Sequence, residues 1–253
     1  MKEFFTGYNE LYKRLTVVPD YQAAVANPER YKIQEDWLPR SKDARILDIG
    51  CGWGNSLLAL WATGYRNLTG IDVSESMCKK AKEGLTDKSI VICVEALRFL
   101  KEKKRQYDLI TMFQVIEHME VGEAYELLKE CHRRLSQQGS IVIVTPNMTN
   151  IFAASSRYAD ITHSHGYTEW SLFQLLDKAG FKKHRIIKAS KKWKQLRTFN
   201  HPFRGLGLRE VLNTFFHEGL LKLQGHHLHP STFSINLTVQ SWKNSPNENT
   251  SFH

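Results

Sequence analysis

The residues with the clearest chemical potential lie between positions 45 and 72. An apolar stretch leads into three alternate glycines, Gly50, Gly52 and Gly54, and a second apolar stretch ends on Asp72. Glycines after a strand permit a sharp turn and a close approach of a ligand to the backbone, and a following helix presents unpaired N–H groups to that ligand. An acidic side chain 22 residues after Gly50 suits the two hydroxyls of a ribose. This segment therefore predicts a βαβ unit that binds a nucleoside.

The spacing of the glycines narrows the kind of nucleoside. The pattern is GxGxG instead of the GxGxxG of dinucleotide sites, and no Gly-Lys-Ser/Thr follows, as it does in sites for nucleoside triphosphates. A pyrophosphate site is therefore disfavoured. A plain tight turn is the alternative that the glycines alone leave open.

Two groups of histidines stand out as possible sources of acid–base chemistry. His118 follows the fourth predicted strand, and His163 and His165 follow the fifth. Ligands of α/β sheets bind at the carboxyl ends of the strands, so we expect His118 and His163 to meet on one rim. A neutral histidine can remove a proton from a hydroxyl near pH 7, and Asp160 is available to orient His163. A purely structural role is the alternative for both histidines.

The same histidines permit a second interpretation, in which they bind a metal. Glu117, His118 and His163 combine carboxylate and imidazole ligands that suit a divalent cation. A second histidine cluster, GHHLHP at 225–230, has three histidines within four residues. Nothing nearby supplies a thiolate, so this cluster is predicted to be a loop beside the entrance for a substrate.

Strands and helices alternate along the chain, as in α/β proteins. The helix at 169–178 is expected to end at Ala179 and Gly180, a typical C-terminal signal. Predicted strands lie at 46–49, 89–93, 107–113, 141–144, 181–188 and 233–242, and one further predicted strand ends at residue 72. Predicted helices lie at 121–135 and 169–178.

These segments resemble motifs of the class I S-adenosylmethionine-dependent methyltransferases. ILDIGCGWG followed by GIDVSESM resembles motifs I and II, and VEAL (94–97) resembles the segment that lies along the adenine. YDLITMFQVIEHM (107–119) resembles the fourth strand and its loop in the branch that contains the ubiquinone-biosynthesis O-methyltransferases and many glycan-modifying relatives. SQQGSIVIVTPN (136–147) resembles the fifth strand, and DITHSHGYTEWSLFQLLDKAGF (160–181) resembles a segment common in methyltransferases of polysaccharide clusters.

The resemblance implies a Rossmann-like α/β fold, with a seven-stranded, mostly parallel sheet, an antiparallel seventh strand and helices on both faces. It also implies S-adenosylmethionine as the cofactor. The glycines would admit its methionine moiety, Asp48 would hold the amino group, Asp72 the ribose, and Glu95 with Ala96 the adenine. The cofactor-binding residues implied in this way are Asp48, Gly50, Cys51, Gly52, Gly54, Asp72, Val73, Met77, Glu95, Ala96, Phe113 and Gln114, the last two beside the sulfonium.

The sequence departs from the ubiquinone-type relatives in one respect. They have an additional acidic residue three positions before the equivalent of Glu117, where this chain has Gln114. The sequence therefore does not decide whether the reaction depends on a metal. For a reaction without a metal, His118 and His163 are the two candidate bases.

The molecule that accepts the methyl group is predicted from the net charge and from the histidine-containing segment at 160–181. The net charge is +9, and basic residues interleave with aromatic ones at 188–209, which favours an anionic partner. Together with the segment at 160–181, this predicts O-methylation of a sugar or glycan, either free or linked to a nucleotide or lipid. A quinone or phenol acceptor is the closest alternative. An RNA acceptor is less favoured, because the place of an amino-methylating motif reads FQVIEH and no RNA-binding signature is present.

The predicted organisation is a methyltransferase domain at 41–242 with additions. A helical lid is predicted at 1–40, an insertion at 189–232 and a polar tail at 243–253. The amphipathic stretch 208–223 is interpreted as a helix that covers the sheet edge, with acceptor recognition, oligomerisation or a contact with membrane or lipid carrier as alternatives.

Cysteine usage and hydropathy bear on the cellular compartment. The four cysteines form no CxxC pair, which is typical of reduced thiols. The sequence also has no apolar run of the length that a membrane span needs, so we expect a cytoplasmic protein.

Overall fold

The structure is a computed structural model that describes residues 18–33, 35–187, 215–218, 230–232 and 234–244. A twisted sheet lies at its centre, with helices on both faces. The strands are β1 (Arg45–Ile49), β2 (Asn67–Asp72), β3 (Ile90–Cys93), β4 (Tyr107–Phe113), β5 (Leu135–Pro146), β6 (Lys183–Ile186) and β7 (Asn236–Trp242). The helices are α1 (Tyr21–Ala26), α2 (Asn55–Ala62), α3 (Glu75–Gly84), α4 (Ala96–Glu102), α5 (Val121–Arg134), α6 (Ala153–Tyr158) and α7 (Glu169–Ala179), with 3-10 turns at Pro28–Tyr31 and Ile116–His118.

The sheet has seven strands in the order β3-β2-β1-β4-β5-β7-β6. The first five are parallel, and β7 runs antiparallel between β5 and β6. The central strands are apolar because helices bury both of their faces. One buried cluster packs under α4, α5 and α7, and another packs under α1, α2 and α3. The predicted fold class is confirmed.

Several predicted boundaries are wrong by a few residues. Strand β5 begins at Leu135 instead of 141, because the segment that was predicted to be a turn continues the strand. Strand β6 begins at Lys183, since Phe181 belongs to the end of α7: its N–H donates to Leu176 O at 3.1 Å, and Gly180 has a φ of +106°. Residues 234–235 precede β7 and bind Asn147 instead.

The segment before β1 packs on the rest of the domain. The Tyr21 hydroxyl donates to the carbonyl of Trp53 in the glycine loop. Asp36 pairs with Arg185 of β6 at 2.8 Å. Residues 1–17 of the predicted lid lie outside the described residues.

Most of the predicted insertion also lies outside the described residues, including the basic aromatic segment at 188–209 and the histidine cluster up to 229. Residues 215–218 are helical, in agreement with part of the prediction for 208–223. All four cysteines are free, and Cys93 is exposed whereas the other three are buried. Among the described residues, we find no helix with the length and apolar character that a membrane crossing requires.

Candidate functional site

The glycine loop after β1 has a conformation that other residues do not tolerate. Gly50, Gly52 and Gly54 have φ values of +69°, +53° and +79°, in the left-handed region. A Cβ on Gly50 would lie 2.3 Å from Cγ2 of Val115, and a Cβ on Gly54 would lie 2.4 Å from Cδ1 of Leu85. The loop therefore has the tight backbone turn that a cofactor cradle needs.

Asp72 connects this loop to the end of β2. Its Oδ2 accepts from the N–H of Gly52 at 2.8 Å, and its Oδ1 accepts from the N–H of Ser74 at 2.8 Å. Each carboxylate oxygen keeps a second lone pair, so the side chain can still accept bonds from ribose hydroxyls. Burial raises the pKa of Asp72, and the backbone hydrogen bonds oppose this shift.

Asp48 lies buried near the carboxyl end of β1. Its Oδ1 accepts from the hydroxyl of Thr111 at 2.6 Å. Burial raises the pKa of Asp48 from 3.8 to about 7, and the nearby charge of Asp72 adds to this shift. A bound cationic group would lower that pKa again, which fits the predicted role at an ammonium group.

Other predicted cofactor residues have structural roles as well. Glu95 caps the N-terminus of α4: its carboxylate oxygens accept from Leu97 N and Arg98 N, both at 2.7 Å. Gln114 has a φ of +56° at the end of β4, a strained conformation of the kind that clusters at functional sites. Of the others, Val73 is exposed, Phe113 meets Trp37 edge-on at 6.2 Å, and Cys51, Met77 and Ala96 are buried.

A second group of residues gathers at the carboxyl ends of β4 and β5. The 3-10 turn Ile116–His118 follows β4, and the loop 160–167 follows α6. Ser164 N and His165 N donate to the carbonyl of Glu117 at 2.8 and 3.1 Å. Arg157 donates to the carbonyls of His163 and Ser164. These bonds hold the loop and the turn together.

His118 and His163 meet as predicted, with ring centroids 4.7 Å apart. His118 Nδ1 lies 2.7 Å from the Thr162 hydroxyl, and His163 Nδ1 lies 3.1 Å from the carbonyl of Ser156. Burial and then the neighbouring His163 lower the pKa of His118 to about 4. His118 is therefore neutral near pH 7.

The predicted role of Asp160 needs correction. Its carboxylate accepts from the hydroxyl and the N–H of Thr162, at 2.7 and 2.9 Å, and its main-chain carbonyl accepts from His163 N at 3.2 Å. Asp160 therefore orients the residue that contacts His118, whereas the sequence predicts that it orients His163. The sequence analysis missed Thr162, although it lies within the histidine motif, because a threonine there gives no chemical signal of its own.

Glu117 is a buried carboxyl group with an incomplete set of hydrogen bonds. Its Oε2 accepts from the Thr145 hydroxyl at 3.1 Å, whereas its Oε1 has no partner among the described residues. Burial raises the pKa of Glu117 to about 7. The buried Tyr167 hydroxyl also lacks a partner in the described part of the chain, and burial followed by the charge of Glu117 raises its pKa to about 12. Buried polar atoms are normally paired, so these two mark a place for a ligand.

The residues of the alternative metal site also converge. One ligand atom from each of Glu117, His118 and His163 lies within 4.8 Å of the others. Three nitrogen and oxygen ligands with an open position are typical of catalytic metal sites. The donor set therefore fits a divalent cation, with Glu117 as its carboxylate ligand.

An exposed apolar rim lies in and around α6, the helix whose Ser156 carbonyl lies 3.1 Å from His163 Nδ1. Residues 215–218 contact it through His217, whose Nε2 accepts from the N–H of Ile151 at 2.9 Å. The sequence analysis missed this surface because its parts are far apart in the chain. The apolar rim consists of Ile151, Phe152, Tyr158, Ile161, Phe215 and Phe216, all exposed.

Comparisons with known proteins agree with the predicted fold and methyltransferase domain. Residues 46–139 match the family model described as a methyltransferase domain. The ubiquinone biosynthesis O-methyltransferase of Rickettsia bellii is 32% identical over 112 residues, which cover 42% of this chain and 44% of the relative. The mitochondrial ubiquinone biosynthesis O-methyltransferase of Saccharomyces cerevisiae is 28% identical over 149 residues, which cover 56% of this chain and 45% of the relative.

The chain thus spans less than half the length of these two relatives. A SAM-dependent methyltransferase from Archaeoglobus fulgidus shares the fold, with a TM-score of 0.60 and 22% identity over 88% of this chain and 94% of that chain. Residues 46–139 therefore match a methyltransferase domain, the fold is that of S-adenosylmethionine-dependent methyltransferases, and the chain is similar to ubiquinone-biosynthesis O-methyltransferases, as its motifs predict.

Proposed function

We propose that this protein transfers the methyl group of S-adenosylmethionine to a hydroxyl of a quinol- or phenol-type small molecule. The observation that supports it best is the convergence of the cofactor loop and the Glu117, His118 and His163 cluster at the carboxyl edge of one sheet. The cofactor supplies an activated methyl group, so the protein mainly aligns the acceptor and removes its proton.

A phenolic acceptor fits the site better than the predicted sugar or glycan. The two curated relatives reported above are ubiquinone biosynthesis O-methyltransferases, which supports the alternative acceptor. A base whose pKa is lowered to about 4 takes a proton more readily from a phenol, with a pKa of about 10, than from the much less acidic hydroxyl of a sugar. An aromatic ring also suits the apolar rim.

The proposed roles on the cofactor side follow the matching motifs. Asp48 faces the amino group, Asp72 the ribose, and Glu95 the adenine. On the acceptor side, His118 receives the proton, and His163 packs beside it.

A metal-dependent variant of this reaction is the second candidate, favoured by the partnerless Glu117 Oε1. Glu117, His118 and His163 would hold the cation. A bound divalent cation lowers the pKa of a coordinated hydroxyl.

The experiment is a transfer assay with tritiated S-adenosylmethionine against catechols, nucleotide sugars, glycans and RNA, with and without chelator. We expect transfer to catechols, and about a 100-fold loss in the His118→Asn variant, within the usual contribution of a general base. His184→Asn is the matched control, since His184 is bound by Ser241 and Asp177 in a different part of the sheet. Transfer to sugars or RNA alone would reject the phenolic acceptor, and loss of activity with chelator would identify the metal-dependent variant.

A further inference from the structure

Thr162 lies between the carboxylate of Asp160 and the ring of His118. Its hydroxyl oxygen is 2.7 Å from Asp160 Oδ1 and 2.7 Å from His118 Nδ1. The N–H of Thr162 also donates to Asp160 Oδ1, at 2.9 Å. Asp160 and Thr162 are both buried, so these contacts fix the direction of the hydroxyl.

The direction of the two hydrogen bonds follows from the number of protons. A threonine hydroxyl has one proton, and an ionised carboxylate can only accept. The hydroxyl of Thr162 therefore donates to Asp160 and has only lone pairs to offer to His118. His118 Nδ1 must then be the donor, so it holds the single proton of the neutral ring.

We infer that Thr162 is a positioning residue that holds His118 in the tautomer with the proton on Nδ1 and the lone pair on Nε2. This inference deepens the proposed function and rests on it for its catalytic meaning. In the opposite tautomer, Nε2 would present an N–H and could not receive the proton of an acceptor hydroxyl at that atom.

The structure offers a matched comparison for this arrangement. His184 also has a hydroxyl on Nδ1, from Ser241 at 2.8 Å, and a carboxylate, Asp177, on Nε2 at 2.9 Å. This histidine connects β6 to β7 and is not part of the site at the carboxyl ends of β4 and β5. Ser241→Ala therefore removes a histidine–hydroxyl bond without altering the surroundings of His118.

The experiment is ¹⁵N NMR of the full chain labelled at histidine, with the His118 signals assigned by their absence in His118→Asn. We expect a protonated Nδ1 in the wild type, in Thr162→Ser and in Ser241→Ala. Thr162→Val removes the hydroxyl at nearly constant volume and should shift His118 towards the Nε2-protonated tautomer. Thr162→Ala serves the same purpose if the valine variant does not fold. A protonated Nε2 in the wild type, or an unchanged tautomer without the hydroxyl, would overturn the inference.

Kinetics provide the second measurement. The acceptor is a catechol that the wild-type protein methylates. With it, Thr162→Val should lower kcat about 10- to 100-fold, within the range of general-base effects, whereas Thr162→Ser should keep the wild-type kcat. The affinity for S-adenosylhomocysteine, measured by calorimetry, should stay unchanged in both. If no acceptor is methylated, the proposed function fails, and the NMR result still decides the role of Thr162.

Discussion

The proposed cofactor side and the proposed acceptor side of the site satisfy their polar groups in different ways. On the cofactor side, the carboxylates of Asp72 and Glu95 each accept hydrogen bonds from two backbone N–H groups. On the acceptor side, Glu117 Oε1 and the Tyr167 hydroxyl are buried without a partner in the described part of the chain. The cofactor side is thus complete by itself, whereas the acceptor side has polar atoms that a bound molecule would satisfy.

The largest effect is expected from a substitution that destroys the cofactor side. Gly50→Ala places a Cβ 2.3 Å from Val115 and forces a non-glycine residue into a left-handed conformation. We expect calorimetry to show at least about a 100-fold loss of S-adenosylhomocysteine affinity, which corresponds to about 2.7 kcal/mol.

Gly122→Ala is the control for this loss, since nothing lies within 4 Å of its added methyl group. It should leave binding unchanged and stabilise α5 by up to about 1 kcal/mol. Wild-type affinity in Gly50→Ala would show that the loop is not a tight cradle.

The second prediction compares two buried glutamates. Glu117→Gln should lower kcat about 100-fold or more, as expected for a group at the reacting centre, with little loss of thermal stability. Glu169 is equally buried, but both of its oxygens are paired, with Ser231 N at 2.7 Å and the Ser231 hydroxyl at 2.9 Å. Glu169→Gln should therefore lower the melting temperature and leave kcat within about 3-fold, because a neutral amide weakens the bonds to Ser231 and removes no unpaired group of the site.

Thermal unfolding and initial rates on the same samples measure both effects. A lower melting temperature with unchanged kcat in Glu117→Gln, and a lower kcat in Glu169→Gln, would contradict the assignment of the unpaired Glu117 to the acceptor side.

The same distinction explains how much of the site the sequence predicts. Gly52 and Asp72 are 20 positions apart within one βαβ unit, so their spacing alone indicates the cofactor cradle. His118 and Thr162 are 44 positions apart, and Ile151 and His217 are 66 apart. The meeting of His118 with His163 could be predicted because strand ends share an edge of the sheet. The role of Thr162 and the apolar rim could not, because they depend on how loops fold above that edge.

The third prediction concerns the pH dependence of the cofactor side. The pKa of Asp48 is raised from 3.8 to about 7, so between these values the folded state holds a proton that the unfolded state has released. The free energy of unfolding of the unliganded protein should therefore fall as the pH rises from about 4 to about 7, through this group. Asp48→Asn should remove this part of the pH dependence, as measured by denaturant titrations at several pH values.

Ligand binding gives an independent check on Asp48. An ammonium group beside it lowers its pKa, so binding near pH 7 should release a fraction of a proton, visible by calorimetry in buffers of different ionisation enthalpy. We expect Asp48→Asn to release none and to bind S-adenosylhomocysteine about 10-fold more weakly, in the range of a hydrogen bond to a charged group. Equal proton release in both proteins would place the amino group elsewhere.

The fourth prediction tests what the acceptor side recognises. Phe152 and Ile161 are exposed by 64% and 82%, and an aromatic acceptor would cover them. The double variant Phe152→Ser, Ile161→Ser should raise KM for a catechol about 5- to 10-fold, which corresponds to about 1 kcal/mol of lost apolar contact, and leave S-adenosylhomocysteine affinity unchanged. Ile90→Ser, at an equally apolar exposed position on edge strand β3, is the control. A higher KM in the control, or an unchanged KM in the double variant, would contradict a role of this rim in acceptor binding.

The smallest effect is expected from the contact between the predicted lid and the cofactor side. Tyr21 of α1 donates its hydroxyl to Trp53 O, and burial raises its pKa to about 12, so this donor keeps its proton over the working pH range. Tyr21→Phe removes one hydrogen bond, worth about 1 kcal/mol, and should weaken S-adenosylhomocysteine binding by up to about 5-fold if α1 helps to hold the glycine loop. Tyr158→Phe is the control, because that hydroxyl belongs to an exposed residue of the apolar rim. Unchanged affinity in Tyr21→Phe would mean that the loop keeps its shape without the N-terminal segment, so the cofactor side would be complete within residues 45–72 alone.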